Sequence, residues 1–300
     1  MTQTTKLIPD GFYDLIFAEA ENKFKSKNLV LEHFLQCGFR MIETSLVEFS
    51  DKSDLYDDAF STFDAKTGKN LVFRNDITLQ VERLLKSRLR NYDLPLKLCY
   101  FGEVLSNKDI NFNGQRQQSQ LGVEIIGSNN EKSDIEVINA SLEAAKKLGH
   151  KDILIEVSLP DLLEKFLDEA QLSTELREDL GKAILNKNIT KIREILGEKS
   201  QPIEDIILKN DDLQNNISNF SKNYNSKVIL AELDKAKSLN ELLKNNFDCK
   251  ICFDLFGDHK SLYHNCISFD IFANNSTTPI ARGGRYKIGG IDAVGSTLYI

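Results

Sequence analysis

The sequence predicts an α+β fold: an antiparallel β-sheet with helices on one side, interrupted by a helical insertion before its last strands. Three observations predict it. Strand patterns follow one another directly or across single helices, without the repeated β-α-β alternation of a parallel sheet. Residues 161–248 are almost wholly helical in pattern, and strands return after them. The chain has 300 residues, 41% of them hydrophobic, enough to bury a real core. That core is assigned to 1–160 and 249–300, with 161–248 as the insertion.

The elements follow in order. Ile8-Pro9-Asp10-Gly11 reads as a turn. A helix is expected over 18–37, with Phe24, Val30, Leu31, Phe34 and Leu35 at helical spacing and Gly38 as its stop. A strand over 39–49 would turn Met41, Thr44 and Leu46 inward. Residues 50–70 are acidic and turn-rich, a loop with one short strand ending at Thr67-Gly68-Lys69. A short buried strand at 71–73 leads to a helix over 78–90 that buries Leu79, Leu84, Leu85 and Leu89. A long strand at 96–105 and a polar loop at 106–114 precede a strand that ends near Gly127. Residues 133–148 form an amphipathic helix with Ile135, Ile138, Leu142 and Ala145 on one side and Gly149 as its stop. After a strand at 153–157, helices are expected over 162–172, 175–185, 189–196, 203–208 and 228–243. The last strands are expected at 249–256, 262–272, 279–281 and 293–300.

Composition excludes several function classes. A net charge of −7 opposes a protein built mainly to grip nucleic-acid backbone. No apolar run reaches the ~18 residues of a membrane span, and MTQTTKLIPDG has no signal-peptide core, so a cytoplasmic protein is expected. Five cysteines, an odd number, read as reduced thiols. Cys249 and Cys252 form a C-x-x-C without a second pair, and His33, His150, His259 and His264 show no ligand spacing, so no metal is expected. G-x-S-x-G, H-E-x-x-H, P-loop and dinucleotide motifs are absent, so neither catalytic machinery nor a cofactor is expected.

The informative stretch is NGQRQQSQLGVEIIG, residues 113–127. Alternation along a strand puts Leu121, Val123 and Ile125 on one face and Gln118, Gln120, Gly122 and Glu124 on the other. The polar face reads either as solvated or as the floor of a polar small-molecule site, with Gly122 leaving room for the ligand. Asp76 and Thr78, just ahead of the 78–90 helix, read as helix caps or as ligand groups. Arg282-Gly283-Gly284-Arg285-Tyr286 reads as a tight turn or as a loop whose backbone closes over a ligand while Tyr286 reaches in.

Five segments in this order, RNDITLQVER (74–83), YFGEVL (100–105), RQQSQLGVEIIG (116–127), ARGGRY (281–286) and AVG (293–295), resemble histidyl-tRNA synthetase. They are still more similar to its paralogue, the regulatory subunit of ATP phosphoribosyltransferase. The resemblance implies a class II aminoacyl-tRNA synthetase-like catalytic core that binds histidine. Asp76 would accept from the α-ammonium, assisted by Thr78 and Gln120, and Glu124 would accept the imidazole N–H. Arg116 matches an arginine of the second class II motif, Tyr263 lies in a segment that resembles the family's tyrosine pair, and Tyr286 falls at the family's loop tyrosine.

Departures from the ligase pattern divide the paralogues. Ser106 and His259 stand where arginines that handle ATP are expected, and neither a third-motif arginine nor an anticodon-binding domain is expected in this chain. His264, Cys266 and Ser45 replace the second tyrosine of the pair, a glycine and a first-motif proline, which bear on histidine affinity and the dimer contact. The resemblance therefore implies a non-catalytic regulatory subunit acting in the first step of histidine biosynthesis. Its partner would be a short-form ATP phosphoribosyltransferase catalytic subunit, and its effector L-histidine. It would be a homodimer within a hetero-oligomer, a hetero-octamer, with no nucleic-acid or membrane partner. The alternatives are a histidine-activating ligase fragment and a histidine sensor acting on another partner.

Overall fold

The computed structural model describes residues 7–50, 58–110, 114–208, 213–257 and 264–300, without the side chains of 109, 110 and 264–266. In chain order the elements begin with α1 (Ala18–Gln36), β1 (Arg40–Ile42), β2 (Val47–Phe49), β3 (Ser61–Asp64), β4 (Lys69–Phe73) and α2 (Ile77–Lys86). Then come β5 (Leu96–Ile110), β6 (Gln115–Ile126), α3 (Glu131–Lys147), β7 (Leu154–Ser158), α4 (Pro160–Glu169), α5 (Thr174–Leu185) and α6 (Ile189–Leu196). The remainder are α7 (Gln201–Leu208), α8 (Leu213–Asn223), α9 (Lys227–Asn246), β8 (Lys250–Phe253), β9 (His264–Phe272), β10 (Ala281–Ile288) and β11 (Ile291–Tyr299). Two compact units result. The first holds Met1–Lys151, Ser276–Ala281 and Ile288–Ile300; the second holds Asp152–Asn275 and Arg282–Lys287.

The first unit is built on β5 and β6, a long antiparallel pair whose apolar residues alternate with polar ones. β11 pairs antiparallel on the far side of β6, and β1 lies parallel along β5. Helices cover both faces of this sheet, not one. The odd-numbered side of β5 meets α1 and α3, through Lys23–Glu103, Lys27 over Phe101 and Lys97–Glu136. The even-numbered side carries Tyr100 and Val104, which pack on Ile77 of α2. Local signals fix the helix ends. Asn130 caps α3 by accepting from Ser133 N, acids fill its first turn and lysines its last, and Gly149 ends it at φ +87°.

A smaller sheet, β2-β4-β3, completes this unit. Its β3–β4 turn is set by Asp64, which accepts from Lys66 N and Thr67 Oγ1, and by Gly68 at φ +70°. In the second unit β7 pairs parallel with β8 and antiparallel with β9. The helices beyond β7 close over rings of Phe166, Phe220, Tyr224 and Phe256. Among the described residues no helix is long and apolar enough to cross a membrane.

Several expectations are corrected. The pairings of β1 with β5 and of β7 with β8 are parallel, so the strands are mixed rather than all antiparallel. The strand expected over 39–49 is two short strands in different sheets. Met41 and Leu46, expected inward, are 49% and 46% exposed, because three-residue strands on two sheets share no common face. The 78–90 helix ends at Lys86 and buries Ile77, Gln80 and Val81, while Leu79, Leu84, Leu85 and Leu89 are only half-buried. β5 runs on to Ile110, through residues expected to belong to the polar loop of 106–114. Within the helical insertion, the asparagine-rich α8 is an additional helix between those expected at 203–208 and 228–243. Arg282 to Tyr286 is not a loop. It lies inside β10, and the turn before β11 is made by Gly289 and Gly290 at φ +56° and +82°.

Candidate functional site

The polar residues of β6 meet the start of α2 inside the first unit. Asp76 is the N-cap of α2, accepting from Thr78 N at 3.0 Å. Gln120 Oε1 accepts from the next orphan donor, Ile77 N, at 3.1 Å. Thr78 Oγ1 then donates to Glu124 Oε1 at 3.1 Å. The capping and ligand readings of Asp76 and Thr78 are thus not exclusive, since the helix start that needs capping is what holds these groups together. The face from Gln118 to Glu124 is buried, and Glu124 is only 1% exposed. The solvated-face reading of this strand therefore fails.

Two residues missed from the sequence complete the cluster. Tyr100, Gly122 and Thr297 stand in one row across β5, β6 and β11. Because position 122 has no side chain, the Tyr100 ring lies over β6; a Cβ there would stand 2.1 Å from Cζ. The Tyr100 hydroxyl reaches Glu124 Oε1 at 3.1 Å, Thr78 Oγ1 at 3.1 Å and Thr297 Oγ1 at 3.0 Å. The space over Gly122, expected to admit a ligand, is filled by this ring. Gly295, opposite Glu124 in register, does for the carboxylate what Gly122 does for the ring: a Cβ there would stand 1.7 Å from Oε2. The row of Tyr100 was the available signal, since YFGEVL and the QLGVE run face each other in a hairpin.

Burial raises the Asp76 carboxyl above its ordinary value, against hydrogen bonds from Thr78, Gln120 and Ile77 N that favour the charge. A raised pKa means the folded state holds its proton more tightly. Stability from this group is therefore present below about pH 3.8 and is lost as pH climbs through the raised value. Asp76→Asn removes the effect. In urea titrations the variant should gain on the wild type as pH rises from 4 toward neutrality, and parallel curves would refute this.

Arg116 lies on the same face of β6 but is engaged with the N-terminal segment. Its guanidinium stacks on Phe12 and Phe60 at 5.6 and 4.8 Å and donates to Ser106 O at 3.3 Å. Tyr286 is a buried residue of β10 in the second unit. Tyr263 and His259 lie outside the described residues. Ser106, at an expected arginine position, is buried and its hydroxyl accepts from Lys108 N at 3.1 Å. In the C-x-x-C, burial with Glu156 and Asp254 nearby pushes the Cys252 thiol up to about 12, so it is a neutral thiol. No group of metal-ligating side chains occurs among the described residues.

Comparison with known proteins gives this geometry a context. The family described as histidyl-tRNA synthetase matches residues 11–300. An ATP phosphoribosyltransferase regulatory subunit from Ruminiclostridium cellulolyticum is 30% identical over 291 residues, covering 93% of this chain and 69% of its own length. One from Geobacter sulfurreducens is 27% identical over 299 residues, and this chain spans 66% of its length. Among solved structures, an ATP phosphoribosyltransferase regulatory subunit/histidyl-tRNA synthetase from Bacillus halodurans superposes with TM-score 0.84 at 22% identity, over 99% of this chain and 82% of that one. The HisG:HisZ ATP phosphoribosyl transferase complex from Thermotoga maritima contains a chain that matches at TM-score 0.72 and 20% identity, over 95% and 98%. The chain belongs to the histidyl-tRNA synthetase family, among the relatives that are ATP phosphoribosyltransferase regulatory subunits.

Proposed function

We propose that this chain is a non-catalytic regulatory subunit of ATP phosphoribosyltransferase. It activates a short-form catalytic subunit and carries histidine feedback to it. The observation that carries the reading is a histidine-type cluster kept beside a missing nucleotide clamp. Asp76, Thr78, Gln120 and Glu124 are drawn together, while the arginine expected to hold ATP phosphates is Ser106. A relative 30% identical carries the regulatory-subunit name, and the Thermotoga chain of this fold stands in a HisG:HisZ complex. Residues 161–248 hold 17 Asp and Glu against 13 Lys and Arg, a charge that repels an RNA backbone. Exposed Met41, Leu46 and Phe49 fit a homodimer contact within the hetero-oligomer.

Histidine can inhibit only by binding the inactive arrangement more tightly than the active one. The test is phosphoribosyl-ATP formation by a short-form catalytic subunit, with and without this chain, across a histidine titration. Activation that histidine reverses is expected; no activation with the cognate subunit would overturn the proposal. Histidine-dependent pyrophosphate exchange by the chain alone would instead establish the ligase alternative. Glu124→Ala should weaken histidine binding by roughly 1–3 kcal/mol, the range for a hydrogen bond to a charged group. Calorimetry giving an unchanged affinity would remove Glu124 from the site.

A further inference from the structure

A concave site lies wholly within the second unit. This cleft, of about 240 Å³, is lined by the ends of α5 and α7, by β7 and β9, and by the turn after β8. Its polar side begins with one row across three strands. Cys252, Glu156 and Asp270 stand in register on β8, β7 and β9, so they share a face. Glu156 and Asp270 are therefore like charges directly opposite one another, an arrangement that destabilises a sheet. Asp270 is buried, which strengthens the repulsion. Asp254, in the turn after β8, brings a third carboxylate to the lining. The remaining wall is apolar, with Ile184 of α5, Ile207 of α7 and Phe256.

Two cations accompany the three carboxylates. Lys187 Nζ reaches Asp254 Oδ2 at 2.9 Å, and Arg282 Nε stands 3.5 Å from Asp270 Oδ1. Lys187 is brought to the rim by the end of α5, where its backbone turns left-handed at φ +53°. These described charges of the cleft sum to −1. The titration of Lys187 reports the same sign. Burial alone lowers its ammonium, but the hydrogen bond to Asp254 and the charges of Asp254 and Glu156 lift it above its ordinary value.

We propose that this cleft is a binding site for a small organic cation, an ammonium or guanidinium group on an apolar body. The charged head sits between Glu156 and Asp270 and offsets their repulsion, and the body lies against Ile184, Ile207 and Phe256. A metal ion is not the ligand, because no group of His, Cys, Asp or Glu side chains among the described residues is placed to hold one. The volume is below the ~300–1,000 Å³ of drug-sized sites, which limits the occupant to a compact molecule. Binding there ties the insertion helices to the strands of their own unit. The proposal is independent of the histidine reading of the Glu124 cluster.

The experiment uses the full chain labelled with carbon-13 at the isoleucine methyls, so that Ile184 and Ile207 report on the cleft by NMR. Benzylamine is the cationic probe, benzyl alcohol its neutral counterpart and benzoate its anionic one. Benzylamine should shift both methyls saturably and bind roughly tenfold tighter than benzyl alcohol, as expected for a hydrogen bond to a charged group. Glu156→Gln should weaken benzylamine roughly tenfold and leave benzyl alcohol unchanged. Lys187→Met should do the reverse. Its side chain is 51% exposed at the rim, and its removal frees Asp254 for the ligand, tightening benzylamine about threefold. The opposite signs separate a charge-selective site from a disturbed fold, which would weaken the amine in both variants. Methyls that do not saturate with benzylamine overturn the proposal. So does benzyl alcohol or benzoate binding as tightly as the amine, or a Lys187→Met protein that binds the amine more weakly than the wild type.

Discussion

A Gly122→Val protein is expected to unfold about 3 kcal/mol more easily than the wild type, at the upper end for overpacking a filled core. The Cβ alone would fall 2.1 Å from Tyr100 Cζ and 2.3 Å from its hydroxyl oxygen. Neither group can step aside. The glycine is held in register between β5 and β11, and the ring is pinned by Ile77 and by three hydroxyl or carboxylate contacts. Urea denaturation would give the stability loss, and calorimetry should show histidine binding lost as well. A variant that unfolds at the wild-type midpoint would mean that the row Tyr100–Gly122–Thr297 is not packed as described.

Arg74→Met should cost a comparable amount, roughly 3 kcal/mol, for a different reason. Arg74 is buried, and its guanidinium donates to Glu103 O at 2.7 Å, Thr44 O at 2.9 Å and Thr44 Oγ1 at 3.0 Å. Methionine fills much of the volume but leaves those acceptors without a donor inside the fold, at about 1–3 kcal/mol for each buried orphan. The glycine at 102 marks how close the fit is, since a Cβ there would stand 2.1 Å from Arg74 Nη2. Arg74 ties the segment after β1 to the β5 hairpin and so sets where α2 begins. Urea denaturation checks the expectation, and a loss under about 1 kcal/mol would mean that water replaces the guanidinium.

What the sequence made legible follows from which interactions are local. That Gln120 and Glu124 share one face is legible because side chains in a strand alternate with period two, a rule that needs no partner. The capping by Asp76 is legible because it is chemistry within one turn. The misreadings at the site depend on a neighbour. Nothing within 113–127 says that the tyrosine opposite Gly122 will lie across it, so the alternation alone leaves that glycine as open space. Thr297 and Gly295 reach Gly122 and Glu124 only through the pairing of β11 with β6, which the local sequence does not specify. The glycine pair at 283–284 looked like a turn because glycine permits one, whereas the positive φ values belong to Gly289 and Gly290. In the same way Met41 and Leu46 were turned inward by a single-strand pattern that the split between two sheets breaks.

The position of β11 has a consequence for how the protein is born. The first unit takes its strand at Ile291–Tyr299 from residues made long after α3, and the contact of Tyr100 with Thr297 joins positions 197 apart. During synthesis at ~5–20 residues per second, the β5–β6 hairpin waits many seconds with the β6 edge unpaired. Glu124 is exposed to water for that whole interval, which spares a lone carboxylate the cost of early burial. The contacts of Tyr100 and Glu124 with β11 are thus the last part of this cluster to be assembled on the ribosome, and a nascent chain completes the cluster only when Ile291–Tyr299 has emerged.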